Sequence, residues 1–307
     1  MRRAYQLAAT VVLSVCAFGT QASPFAYATA AQTTSTDYRL IQIDLATGVS
    51  TTVGSIGYSD VEGLAISPEG TLYGVSDQSP KTLFTISTSF GRGTPVGPGN
   101  NNLGVVGEGV GSFDSLDLGL AFTCDGRLWM SSDTTGKFWE VNRNTGVARL
   151  VGNLGVKISG LAGNADGLYG MGIEADRGLF KINPDTGTAT RVGAIGNIAP
   201  FVDAGMDSDS AGNLWAVLDY DPPPDSRPGD SGKQSDLVRV NAATGAFTYI
   251  AKTFPEVEGL AIGPPPACAI SGGGNAPSIP ANTPVTLLLL GLVLLAVGLT
   301  RVRSALQ

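Results

Sequence analysis

At 307 residues, with 42 Gly, only 7% aromatic residues and no His, the chain has room for one large all-β domain or two ordinary ones. The missing His excludes Ser-His-Asp triads, His-ligated zinc and imidazole acid–base catalysis. The net charge of −7 deepens when Arg2, Arg3, Arg301 and Arg303 are set aside with the two ends. That leaves 15 basic against 26 acidic residues, a balance that argues against nucleic acid as a partner.

The chain opens with Arg2 and Arg3, an apolar run from Leu7 to Phe18, and then small residues. This is the three-part layout of a secretory signal peptide, expected as a helix over residues 1–22 and absent from the mature protein. Cleavage sites are legible after Ala22 and after Ala28. The first is preferred, because cutting after Ala28 would remove the start of a strand at Ala26–Ala30 and several ladder hydrogen bonds worth roughly 1 kcal/mol each.

That strand and the next, Leu40–Asp44, precede the first full repeat. The element Val61-Glu62-Gly63-Leu64-Ala65-Ile66 returns as Val257-Glu258-Gly259-Leu260-Ala261-Ile262, with related starts at Leu118, Ser159 and Ala204. Each unit begins with an apolar strand and continues through a tight turn such as Asp125-Gly126, Asp166-Gly167 or Gly212-Asn213. A second strand carries an aromatic residue at a fixed place (Tyr73, Trp129, Tyr169, Trp215), for which packing between units is the expected role. The third strand is alternating, as in Leu83–Ile86 and Leu237–Val240. It ends in a turn written four times: Asp44–Gly48, Asn142–Gly146, Asn183–Gly187 and Asn241–Gly245. In each, an Asx side chain can bond backbone two residues on and Gly takes the left-handed conformation. A fourth strand ends the unit.

Four antiparallel strands per unit, at roughly 40 to 45 residues, are the sign of a β-propeller. The last copy of the inner strand lacks its own second, third and fourth strands, and the N-terminus has them to offer. The expected fold is therefore all-β: a five-bladed propeller over residues 23–262, closed by N-terminal strands pairing with the C-terminal inner strand. The repeat resembles NHL-type and related bacterial propeller repeats, in which the Gly-Leu-Ala strand is innermost.

Beyond the propeller comes a Gly/Pro-rich linker over residues 263–284. A hydrophobic segment follows over 285–300, whose apolar run Val285–Leu299 is about 22 Å long as a helix, somewhat short of a membrane span and near it with flanking residues, and then a basic end over 301–307. The short Pro motif, apolar stretch and basic end resemble bacterial C-terminal sorting tails of the PEP-CTERM and IPTL-CTERM kind. That resemblance implies a dedicated protease as a partner and a cell-surface or extracellular destination after processing; a plain C-terminal transmembrane helix is the alternative. Both put Arg301 and Arg303 on the cytoplasmic side and the body outside. Cys124 and Cys268 would share a compartment in which a disulfide persists, although the sequence alone leaves their pairing open.

Two long insertions, Gly97–Asp117 and Tyr220–Asp236, open on the same face as the start of each inner strand, and loops on a rigid scaffold are where binding usually resides. Acids collect there. Asp77, Asp133 and Asp219 end their second strands, with Glu174 displaced by one residue, and Glu62 and Glu258 sit at the mouth of neighbouring inner strands. These five, Glu62, Asp77, Asp133, Asp219 and Glu258, are the candidate ligand-binding residues; solvation of the rim is the plainer role for the same acids. Glu62 and Glu258 are also candidate metal ligands, because paired carboxylates either raise one pKa or recruit a hard cation such as Ca²⁺. The stretch Asp60–Gly70 resembles the opening motif of phytase-like and gluconolactonase-like propellers, which implies a metal-ligand role for Glu62. Gly107, Gly109 and Gly111 lack the following helix and Lys-Ser or Lys-Thr of a phosphate loop, and no cofactor other than a cation is suggested.

The expected function is therefore an exported, membrane-tethered or surface-sorted protein, without catalysis, that binds an extracytoplasmic ligand or protein partner through its acidic long-loop face. The alternative is a divalent-metal-dependent hydrolase of lactone or phosphate esters using Glu62 and Glu258. A structural role in an extracellular matrix is the third.

Overall fold

The computed structural model describes residues 24–32, 35–77, 81–99, 102–105, 117–193, 195–196, 198–220 and 234–266. The expected signal peptide, hydrophobic segment, basic end, most of the linker and parts of both insertions lie outside them. Among the described residues there is no α-helix, only a 3₁₀ turn at Glu174–Asp176, and no helix is long and apolar enough to cross a membrane.

Twenty strands among the described residues form five four-stranded antiparallel sheets. Blade one is built from Val61–Ile66, Leu72–Ser76, Thr82–Ile86 and Gly93–Pro95. Blade two runs from Leu118 to Asn153, blade three from Ile158 to Gly193 and blade four from Asp203 to Pro255. Blade five is composite. Its inner strand is Val257–Ala261, and the other three are Phe25–Gln32, Ser35–Asp44 and Ser50–Ser55. Tyr27 pairs with Ala261, Ala28 with Leu260 and Ala30 with Val257, so the strand that the expected cleavage after Ala22 would leave intact is the one that closes the ring.

Closure is tight because every inner strand carries a Gly where it meets its neighbour. A Cβ on Gly63, Gly119, Gly160, Gly205 or Gly259 would lie within 3 Å of the backbone oxygen of Leu118, Ser159, Ala204, Glu258 or Glu62, respectively. The series runs once around the ring and returns to its start. The aromatic position works as expected: Tyr73, Trp129, Tyr169 and Trp215 are all at most 9% exposed. Trp129 joins an apolar cluster with Leu161 and Phe180 of blade three, and Trp215 one with Ala26, Ile41 and Leu260 of blade five. Both indole N–H groups are satisfied, donating to Thr123 Oγ1 at 2.9 Å and to Asp209 Oδ2 at 3.0 Å.

The four repeated turns take the expected geometry. Asp44 Oδ1 accepts the Ala46 and Thr47 N–H groups, both at 2.9 Å, and Asn142, Asn183 and Asn241 do the same for their turns. Their closing Gly residues have φ between 65° and 83°.

Two interior polar residues break the repeat pattern. The first insertion is not wholly exposed, since Leu103 and Val105 are buried between blades one and two with Val96, Trp139 and Val141. Asn102 beside them replaces a missing stretch of strand. Its Oδ1 accepts the Leu83 N–H and its Nδ2 donates to the Leu83 and Val96 carbonyls, all at 2.8 Å. Because the outer strand of blade one has only three residues, the carboxamide satisfies an edge that would otherwise be buried bare. Asn102→Ala is expected to cost about 3 kcal/mol, three lost bonds at roughly 1 kcal/mol each, with the Leu83 N–H losing the acceptor it has in Asn102 while the Leu83 carbonyl keeps the Val96 N–H at 3.0 Å. Urea denaturation checks this, and an unchanged midpoint would refute it.

Asp207 is the second. In register against the aromatic position it stands where the other inner strands have Ala65, Ala121, Ala162 and Ala261. Its Oδ2 accepts the Ile262 N–H and its Oδ1 the Ser208 N–H, both at 2.7 Å. It thereby ties the end of the closing strand to blade four. Burial still pushes its carboxyl up to about 7, against the pull of these N–H donors.

Candidate functional site

At the mouth of the channel, on the face where the inner strands begin, lies a cavity of about 480 Å³. Of its lining residues, Glu62, Asp117, Asp133, Glu174, Asp203, Asp219, Glu256 and Glu258 are acids, and Lys157 is the single cation. Further along the axis the space between the inner strands shrinks to about 10 Å³, bordered by Leu64, Leu120, Leu161, Met206 and Leu260, no more than one water needs. The mouth is therefore a blind pocket. It opens on one face.

Local backbone features aim the acids inward. The inner-strand register slips by one residue at Glu62, at Ser159, and between Val257 and Leu260, where Glu258 lies. Such bulges bend a strand and redirect a side chain. Asp60, Asp117 and Glu256, each immediately before an inner strand, have φ of 44°, 40° and 51°, a left-handed conformation that L-residues adopt at a cost of roughly 1–2 kcal/mol. Their carbonyls accept the N–H groups of Asp77, Asp133 and Ala31, each at 3.2 Å, so the strained corner also fixes the end of the second strand. Backbone strain of this kind concentrates at functional sites.

Of the five sequence-predicted residues, Glu62, Asp133, Asp219 and Glu258 line the pocket. Asp77 sits behind Glu62, 1% exposed, with its Oδ2 accepting the Asp117 N–H at 3.0 Å. The three-carboxylate group that the fold gathers is Glu62, Asp77 and Asp117, whose ligand oxygens lie within 4.8 Å of one another. Glu258 is not part of that group. Instead its Oε1 accepts the Tyr38 hydroxyl at 3.2 Å, and the same hydroxyl reaches Asp60 Oδ1 at 3.5 Å. Glu62 Oε2 and Glu258 Oε2 are buried and accept no hydrogen bond.

Asp117 and Asp203 were not singled out from the sequence. Their signal was there: an acid stands directly before four inner strands, at Asp60, Asp117, Asp203 and Glu256 if Asp203 is taken with its neighbour Ala204. Asp203 accepts hydrogen bonds from the Ser159 hydroxyl and from the Ala204 N–H, the latter at 2.6 Å. Lys157 pairs with Glu174 at 2.7 Å, with both side chains about half exposed, so the cation spends its charge at the rim.

The electrostatics follow from burial and crowding. Burial, then the neighbouring Asp77 and Asp117, push Glu62 well above the usual carboxylate range. Burial and then Asp203 do the same to Glu258, although the Tyr38 hydroxyl pulls the other way. Asp133 is raised to about 9 by burial and by Asp117 and Asp203. Asp203 rises to about 7 through burial and Asp117, against the Ser159 hydroxyl. Burial and three nearby carboxylates also push the Tyr38 phenol up. The pocket therefore holds protons where a compensating cation would remove them.

Fold and site together define an all-β, five-bladed propeller with a blind acidic mouth. Comparison of the chain with protein families finds no match, and comparison with curated proteins finds none. Among solved structures the chain is similar to TolB from Acinetobacter baumannii, at 15% identity and TM-score 0.42 over 79% of this chain and 67% of that one. It is similar also to a Xanthomonas campestris protein, XC5397, described as a gluconolactonase, at 12% identity and TM-score 0.42 over 76% and 78%. The Kuenenia stuttgartiensis hydrazine synthase matches at 10% identity and TM-score 0.39 over 78% and 69%. At such values no activity carries over, and the blade count rests on the strand pairing itself.

Proposed function

We propose that this is an exported binding protein, tethered to the membrane or sorted to the cell surface through its C-terminal segment, whose acidic mouth takes a positively charged extracytoplasmic ligand or protein group without catalysis. The observation that carries the reading is the pair of buried, unpartnered oxygens, Glu62 Oε2 and Glu258 Oε2, in a pocket lined by eight acids and one lysine. A buried acceptor without a donor costs about 1–3 kcal/mol, and a cation seated between these carboxylates would recover it. Export and tethering are supported by the charge and hydropathy layout of the two ends, with the sorting protease as a further expected partner.

Titration calorimetry with Ca²⁺, Mg²⁺ and alkylamines tests the reading. At least one cation is expected to bind, and the double variant Glu62→Gln with Glu258→Gln to bind it at least tenfold more weakly. Because the pocket carboxyls are raised, affinity should strengthen as pH climbs from 6 to 8 and they ionise. No binding by any cation would overturn the proposal.

A second reading, a divalent-metal-dependent hydrolase of lactone or phosphate esters, is favoured by the Glu62, Asp77 and Asp117 group. Three carboxylates suit a hard cation that takes oxygen ligands, and such an ion would polarise an ester carbonyl or phosphoryl oxygen. Here Glu62 would be a shared ligand, and Glu258 would face the pocket from across the seam between blades five and one. Metal-dependent turnover of a lactone or aryl phosphate, lost in Glu62→Gln, would establish this reading over pure binding.

A further inference from the structure

The chain leaves the propeller on the face opposite the acidic mouth, where the inner strands end. Its last described stretch does not project freely. The Ile262 N–H donates to Asp207 Oδ2 of blade four at 2.7 Å, and the Gly263 N–H bonds the same carboxyl. Ile262, Gly263, Pro265 and Pro266 are half-buried and only Pro264 is exposed, so the segment lies along the body after the closing strand Val257–Ala261 has ended. Three prolines in succession favour an extended path. Cys124 lies on that same face, in the turn between the inner and second strands of blade two, where the aligned copies have Pro68 and Ser210. The turn is fixed: the Thr123 N–H donates to the Arg127 carbonyl at 3.0 Å and the Gly126 N–H to the Thr123 carbonyl at 2.9 Å. Cys124 is in a disulfide. The other cysteines of the chain are Cys16 and Cys268, and Cys16 falls in the expected signal peptide, which the mature protein lacks. From Ile262 to Cys268 an extended chain reaches roughly 20 Å. The inner strands pack so closely that a Cβ at each seam would meet neighbouring backbone, which keeps the ring narrow and brings blade two within that reach.

We propose that Cys124 is bonded to Cys268, and that this bond clasps the end of the closing strand to blade two, a blade that is not its neighbour in the ring. The bond forms as a disulfide oxidant of the exported compartment takes up two electrons and the two thiol protons, its own S–S bond breaking to two thiols. Without the clasp, the closing strand is held to the N-terminal strand by a short ladder, Tyr27 with Ala261, Ala28 with Leu260 and Ala30 with Val257, and it can peel from its last residue. With the clasp, a pull on the chain beyond Cys268 arrives at a turn in mid-chain instead. The proposal does not depend on the cation-binding reading above.

The test uses the full chain, expressed with export and purified without reductant. Peptide mapping by mass spectrometry, after alkylation of free thiols, is expected to recover the Cys124 peptide joined to the Cys268 peptide. Reduction should lower the melting temperature of the parent by roughly 5–15 °C. It should leave Cys268→Ser unchanged, already at the lower value. Amide hydrogen exchange at Leu260, Ala261 and Ile262 should quicken at least tenfold in Cys268→Ser, and by more than at Leu161 in the inner strand of blade three, because the clasp holds one strand end rather than the ring at large. Free thiols at both positions, a bond from Cys124 to Cys16, or a bond to a second copy of the chain would overturn the pairing. Equal quickening at the two strands, with the pairing confirmed, would overturn the clasp.

Discussion

Gly259→Ala is expected to destabilise the propeller by about 3 kcal/mol, at the upper end of what a single overpacked methyl costs. The added Cβ would meet the backbone oxygen of Glu62 within 3 Å, with Thr29 Oγ1 and Leu64 Cγ close by. A backbone oxygen cannot rotate away as a flexible side chain can. For a domain of this size the cost corresponds to a fall in melting temperature of roughly 6–12 °C. Gly160→Ala places the same methyl against the Ala204 oxygen at an internal seam, so it should cost a similar amount. The two should differ in where the ring gives way. Gly259 lies at the seam joining the last strand to the first blade, and its N–H donates to Thr29 Oγ1 at 2.8 Å. Protease should therefore reach the strand Phe25–Gln32 early in the Gly259 variant and not in the Gly160 variant. Gly263→Ala is the control, since a Cβ there meets nothing within 4 Å, and it should change stability by less than about 0.5 kcal/mol. If Gly259→Ala melts with the parent, the inner strands are not as close as the geometry requires.

Stability should also fall as pH rises, the reverse of the usual behaviour of a protein rich in paired carboxylates. Asp133 is raised to about 9, Asp203 and Asp207 to about 7, and Glu62 and Glu258 in the same direction, all led by burial. Between about pH 4, where these groups titrate in the unfolded chain, and their folded values, the folded state binds more protons than the unfolded one. The stability that they contribute is then fully present below about pH 4 and is lost as pH climbs through the folded values. Each proton of difference lowers stability by about 1.4 kcal/mol per pH unit. Solvent in the open mouth screens part of this, and a net loss of roughly 3–5 kcal/mol between pH 5 and pH 8 is a reasonable order of magnitude. At 2–4 °C for each kcal/mol the melting temperature should fall by about 10 °C. Glu69, held down to about 2 first by the Arg143 hydrogen bond, and Glu140, lowered by Arg127 and Arg149, act in the opposite sense only under acid conditions, so the maximum should lie near pH 5. Thermal melts in cation-free buffer across pH 4 to 9 check this. Glu62→Gln with Glu258→Gln should flatten the curve, and a bound cation should lift its alkaline limb. A melting temperature that rises from pH 5 to pH 8 would mean that the pocket carboxylates are already compensated.

Much of the fold was legible because propeller repeats are specified locally. Alternating strands and the Asx side chain in four of the five outer turns act on residues near them in sequence, and the Gly of each inner strand recurs at a fixed place in the repeat although its close contact is with the next blade. Five blades and a composite closing blade followed from counting those signals. Four of the five chosen acids line the mouth for the same reason, since the end of a strand lies at an end of the channel.

What the sequence did not disclose depends on contacts between distant segments. Asn102 reads as one polar residue in a polar insertion, and only the three-residue outer strand of blade one gives it an edge to complete. Asp207 reads as a degenerate repeat until the end of the closing strand is laid beside it. Cys124 is in a disulfide, while its counterpart lies outside the described residues. By itself the sequence determined a ring of five blades with acids at one end, because periodicity and turn chemistry are local. Only the tertiary structure decided which oxygens are buried without a donor, because a one-residue slip in register and the approach of five inner strands set where each carboxylate points and how much water it retains.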